Sequence, residues 1–104
     1  MAKRYFGSPF TMAIAVHIPE ALRSYSGAVG EISLSASTLS EAIDALRACY
    51  PDLYGSICDE TGAVRRHINL FVNRELIARQ DCRCANFKLN SGDVLTIWTA
   101  VSGG

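Results

Sequence analysis

Gly30-Glu31-Ile32-Ser33-Leu34-Ser35-Ala36-Ser37-Thr38-Leu39-Ser40-Glu41-Ala42-Ile43-Asp44-Ala45-Leu46-Arg47-Ala48-Cys49-Tyr50-Pro51 carries two structural periods back to back. Ile32, Leu34 and Ala36 alternate with Glu31, Ser33 and Ser35, the pattern of a half-buried strand. Thr38 then opens a capping box: its hydroxyl can accept from the Glu41 N–H while the Glu41 side chain reaches back. Leu39, Ala42, Ile43, Leu46 and Cys49 follow at spacings of three and four and make one apolar helical stripe. Glu41, Asp44 and Arg47 fall on the opposite face, and Pro51 stops the helix near Tyr50. A strand running into a capped helix that can lie across it is the seed of an α+β layer.

Upstream, Met12, Ile14, Val16 and Ile18 alternate with Ala13, Ala15 and His17, and Pro19 ends that strand because it cannot donate to a ladder. The 20–29 connection reads as a loop whose Leu22 and Tyr25 fold back onto the core, making the first two strands a hairpin. Downstream, 52–59 reads as a short second helix or turn with Leu53 and Ile57 tucked in, and 59–62 as a turn. Ile68, Leu70 and Val72 point inward in a third strand, with Asn69 and Phe71 outward. Asn73-Arg74 turns the chain into a short strand, Glu75-Leu76-Ile77, and 79–88 is an irregular connection. The last strand, 94–100, is entered from the turn Asn90-Ser91-Gly92-Asp93; Leu95 and Ile97 face in, Thr96 and Trp98 out. A hairpin, one main helix across it and a final strand returning through the middle give a ubiquitin-like β-grasp, with a mixed sheet of four to five strands.

At 104 residues the chain has room for one domain, expected over 12–101, with 1–11 as a flexible leader and 102–104 as a flexible tail. Its apolar fraction of 49% supports a core without staples. A net charge of zero argues against nucleic-acid binding, and Arg65-Arg66 reads as a solvated turn. No apolar run approaches the ~20 residues that span a bilayer, and no signal peptide is legible, so the expected location is the cytoplasm.

Cys49, Cys58, Cys82 and Cys84 lack the spacing of a zinc knuckle or an iron–sulfur cluster and read as free thiols. His17 and His67 have no Cys or carboxylate at ligand spacing, so no metal or bound cofactor is expected.

The chain stops at Gly103-Gly104, an ending expected by chance roughly once in 200 chains. Two residues without Cβ after a strand and a short tail can enter a narrow channel and take whatever φ it demands. Ser102 to Gly104 extends up to about 10 Å.

Gly92-Asp93-Val94-Leu95-Thr96-Ile97-Trp98-Thr99-Ala100-Val101-Ser102-Gly103-Gly104 resembles the ending G-D-x-V-x-I-x-P-A-V-x-G-G of the MoaD/ThiS sulfur-carrier proteins, with Thr99 where the family has proline. The likeness runs from about residue 13 to 104. Ile18-Pro19-x-x-Leu22-Arg23 and Arg66-His67-Ile68-Asn69-Leu70-Phe71-Val72-Asn73 look most like the carriers of cysteine biosynthesis; similar chains serve molybdopterin synthase and related pathways. The resemblance implies a carrier, not an enzyme. A ubiquitin-activating-enzyme-like adenylyltransferase would use ATP and magnesium to adenylate Gly104. A sulfur donor would then leave a thiocarboxylate for a sulfur-accepting synthase. Gly103 would share the channel. Phe71 and Trp98, outward on neighbouring strands, would form the docking face with Val101 and Ser102 at the tail. Two other readings stand beside it: a ubiquitin-like modifier conjugated through Gly104, and a β-grasp interaction module with no chemistry at its end.

Overall fold

The computed structural model describes residues 13–78 and 87–99. The expected leader and the 102–104 tail lie outside them. Five strands form one sheet: β1 Ala13–His17, β2 Glu31–Ser35, β3 Ile68–Val72, β4 Glu75–Leu76 and β5 Val94–Thr99. Their order is β2-β1-β5-β3-β4. β5 runs parallel to β1 and antiparallel to β3, so the last strand does return through the middle. Thr99, opposite Ile68, keeps the β5 ladder going at the position where the resembling family carries proline.

Two helices, α1 Leu39–Cys49 and α2 Pro51–Ile57, pack on the inner face. The alternation sets that face: Ile14 and Val16 of β1, Ile32 and Leu34 of β2, Leu70 of β3, and Leu95 and Ile97 of β5 are buried against Leu39, Ile43, Leu46, Leu53 and Ile57. Each such side chain contributes about 1.5–3 kcal/mol when taken from water. Pro51 does more than end α1. It occupies the first turn of α2, where its missing N–H is no loss.

The helix start is a variant of the expected box. The Thr38 hydroxyl accepts from Glu41 N at 3.1 Å. Glu41 reaches one residue further back than the box requires, accepting from the Ser37 N–H and the Ser37 hydroxyl, both at 2.8 Å.

Three expectations are corrected. The 20–29 connection contains a 3₁₀ helix, Glu20–Tyr25. Leu22 is buried as expected, but Tyr25 is 45% exposed. Ser26 is buried beside it, its hydroxyl within hydrogen-bond distance of the carbonyls of Arg23 (3.1 Å) and Val29 (2.8 Å). Cys49, the last position of the α1 stripe, is exposed because the core ends one turn earlier at Leu46. Tyr50, redirected at φ −135° and ψ 66°, packs against the core instead. Third, His17 does have a carboxylate: Glu31 lies across the β1–β2 ladder, with His17 Nε2 to Glu31 Oε1 at 3.0 Å. Both side chains are largely exposed, so the pair adds little to stability.

Candidate docking face and the end of strand β5

The outer face of the sheet is built by the residues that the inner face leaves over. Across β3 and β5, Phe71 pairs with Thr96 and Asn69 with Trp98, so Phe71 and Trp98 stand on one face and neighbour each other diagonally. Trp98 is 57% exposed and Phe71 half-buried. Leu76 of β4 sits opposite Phe71 and is 55% exposed. One row across the sheet therefore reads Leu76, Phe71, Thr96, His17, Glu31, with Trp98 one row nearer the C-terminal end of β5. Its β3–β4–β5 side is apolar; its β1–β2 side is polar and capped by the His17–Glu31 pair.

Leu76 was not assigned to this face from the sequence, although a signal for it exists. Asn73 and Arg74 form a two-residue hairpin loop, and such a loop fixes the register. Counting outward from it puts Leu76 opposite Phe71. Asn73 adopts φ 58°, the left-handed region that Asn tolerates better than most residues.

The opposite end of β5 is fastened. Asn73 Oδ1 accepts from Val94 N at 3.1 Å, Asn73 Nδ2 donates to Asp93 Oδ1 at 3.2 Å, and Asp93 Oδ2 accepts from Asn90 N at 2.8 Å. Gly92, at φ 90°, supplies the conformation that this turn needs. An open groove of about 690 Å³ lies here, lined in part by Asn73, Arg74, Glu75, Lys88 and Asp93. It is at the Val94 end of β5, and Trp98 is not among the residues that line it.

At the C-terminal end of β5, Ile68 pairs with Thr99. Val101, Ser102, Gly103 and Gly104 lie outside the described residues. Cys49 is exposed and Cys58 buried, and Cys82 and Cys84 lie outside the described residues. Among the described residues no group of three or more His, Cys, Asp or Glu side chains could hold a metal ion, and no helix is long and apolar enough to cross a membrane.

A five-stranded mixed sheet with its last strand central and helices on one face defines the ubiquitin-like β-grasp class. The ThiS family profile matches residues 16–104, and the chain belongs to that family of small sulfur carriers. Among solved structures, CysO of Mycobacterium tuberculosis, described as an antigen, is 32% identical, with a TM-score of 0.72 over 85% of this chain and 99% of that one. CysO of Amycolatopsis orientalis, solved in a complex with BexX, is 28% identical, with a TM-score of 0.73 over 88% and 99%. The small archaeal modifier protein 1 of Methanosarcina acetivorans is 25% identical, with a TM-score of 0.70 over 90% and 98%. No curated protein matches the sequence.

Proposed function

We propose that this protein carries sulfur as a thiocarboxylate on Gly104 and delivers it in a biosynthetic pathway, of which cysteine synthesis is the first candidate. The observation that carries the reading is the family match, which extends through the last residue. The likeness to the two CysO proteins favours the cysteine branch over the molybdopterin branch.

The chemistry follows from the terminus. A free α-carboxylate is an anion at neutral pH and a poor electrophile. In an adenylyltransferase using ATP and magnesium, a Gly104 carboxylate oxygen attacks the α-phosphorus of ATP and pyrophosphate leaves. A sulfur nucleophile then attacks the acyl carbon of the mixed anhydride and AMP leaves, with the sulfur retained as thiocarboxylate. Both steps need water excluded, which favours a closed channel entered by Gly103 and Gly104. This protein supplies the reacting carbonyl and the grip, while its partners supply the catalytic groups. A cytoplasmic location fits the use of ATP and free thiols.

The grip is assigned to Phe71, Trp98 and Leu76, with Val101 and Ser102 continuing it along the tail. Covering the exposed part of Trp98 alone is worth about 2–3.5 kcal/mol gross, taking its whole area as ~150–250 Å². A sulfur-accepting synthase would use the same face in turn; that a carrier of this kind docks on a partner protein is supported by the A. orientalis relative, which is solved in a complex with BexX.

Intact mass after incubation with the adenylyltransferase, ATP, magnesium and sulfide tests the reading. The expected gain is the mass difference between a sulfur and an oxygen atom, absent when Gly104 is deleted. A shortened chain that still gains sulfur would overturn it. The likeness to the small archaeal modifier supports a second reading, conjugation through Gly104 to lysines. Under that reading cells accumulate isopeptide-linked adducts in place of the thiocarboxylate.

A further inference from the structure

The two edges of the sheet differ. β4, at one edge, is two residues long, Glu75–Leu76, and so short an edge offers little to pair with. β2, at the other, runs over Glu31–Ser35 in unbroken register with β1. It holds no Pro, no Lys, no bulge and no inward-pointing charge, the devices that blunt an edge.

The open backbone groups of β2 follow from its ladder. Ile18 N donates to Gly30 O at 2.9 Å, so Ile18 and Gly30 form a hydrogen-bonded pair. Such pairs alternate with non-bonded ones, and Ile32 and Leu34 therefore direct their N–H and C=O to β1. Glu31, Ser33 and Ser35 direct theirs to the open side, and all three are exposed. Among the described residues no strand lies beyond them in the sheet.

We propose that this edge pairs with the same edge of a second copy of the chain, antiparallel, about a two-fold axis at Ser33. Self-matching selects the second copy and the register. Centred on Ser33, Ser33 meets Ser33, Glu31 meets Ser35 and Ile32 meets Leu34, and this alignment alone overlaps the whole strand. Apolar inner positions fall beside apolar ones, and the one charge in the strand lies opposite a serine. Sliding the centre to Glu31 would set two carboxylates against each other. The helix side agrees. The exposed Arg23 lies against Gly30 at one end of β2, with its Nε donating to Ile18 O at 3.1 Å. Past the other end, the exposed Glu41 accepts from the Ser37 N–H and hydroxyl, both at 2.8 Å. Antiparallel pairing brings unlike ends together, so Arg23 of each copy approaches Glu41 of the second copy.

Five residues at ~3.4 Å each make a contact about 17 Å long, far below an obligate interface, so the association is weak and reversible. The outer faces of the two sheets look to the same side. Phe71, Trp98 and Leu76 sit on strands away from β2 and stay uncovered, so the pair offers a partner two docking faces at once. The pairing needs no chemistry at Gly104.

Sedimentation equilibrium of the full chain tests it. The average mass is expected to rise from one chain toward two as concentration goes from about 10 µM to about 1 mM. Ser33→Lys sets two cations opposite each other at the axis and should keep the chain monomeric over that range. Ser33→Pro removes an N–H that makes no bond to β1 and should do the same, with the sheet intact by circular dichroism. Ser33→Lys, at an exposed position, carries the test if proline disturbs the strand. Trp98→Lys changes the net charge equally on the outer face and should dimerise like wild type. A chain that stays monomeric throughout, a dimer that survives Ser33→Lys, or a dimer lost in Trp98→Lys would overturn the proposal.

Discussion

Ile97 and Trp98 are neighbours in one strand and do opposite jobs. Ile97 is 1% exposed against the helices, whereas Trp98 is 57% exposed on the other face. The same division runs across β3, where Leu70 is buried and Phe71 half-exposed. A sheet covered by helices on one face only needs apolar residues at every second position. The outward positions are therefore free to be selected for something else, and here they carry aromatics where Ser or Thr would serve the fold as well. β2, at the sheet edge, makes the contrast plain: its outward positions are Glu31, Ser33 and Ser35. Apolar side chains on the outer face concentrate on β3, β4 and β5, beside the end of the strand that leads to the Gly-Gly terminus.

Truncating the two neighbours puts this division to its hardest test. Ile97→Ala should cost about 2–5 kcal/mol of folding stability, measured as a shifted urea midpoint with little change in slope, because it leaves a cavity between β5 and the helices. Trp98→Ala should leave that midpoint within roughly 0.5 kcal/mol of wild type. It should weaken adenylyltransferase binding by about tenfold or more, read by titration calorimetry. If Trp98→Ala unfolds the protein while binding survives, the outer face is structural and the division fails.

Much of this was legible in the sequence because its two signals are local and periodic. Period two in 12–18, 30–36 and 68–72, and period three-to-four from Leu39, gave the strands, the main helix and the buried set. The readings failed where the answer depended on contacts between distant segments. His17 and Glu31 meet only because the β1–β2 register aligns them, which no spacing rule for ligands anticipates. Cys49 fits its helical stripe, yet the core it should face ends at Leu46, which the stripe itself does not encode. Leu76 was recoverable from the two-residue hairpin loop, by carrying the register one strand further. Phe71 and Trp98 could be placed outward by alternation alone, whereas the polar flank beside them needed the topology.

Acid offers a gentler probe, one that acts on the helical layer and spares the apolar side chains of the outer face. Glu41 has its pKa held below the ordinary value of 4.5, chiefly by the Ser37 backbone N–H and then by the Ser37 hydroxyl. Asp59 is held below 3.8, chiefly by the Thr61 hydroxyl and then by the Thr61 N–H. Both favour the ionised form in the folded state, so the unfolded chain binds protons first as pH falls. Their stabilising contribution is complete above the ordinary carboxylate values and is lost as pH drops from there through the lowered, folded-state values. Glu41 is exposed and Asp59 partly so, and water screens both, so the effect is the smallest of the three. Urea midpoints taken at pH 7 and then stepwise below pH 4.5 should fall less steeply in Glu41→Gln and Asp59→Asn than in wild type. Trp98→Ala should track the wild-type curve in parallel, since it removes no titrating group and no inner-face contact. Equal acid slopes in wild type and Glu41→Gln would mean that the Ser37–Glu41 link does not anchor the start of α1 in solution.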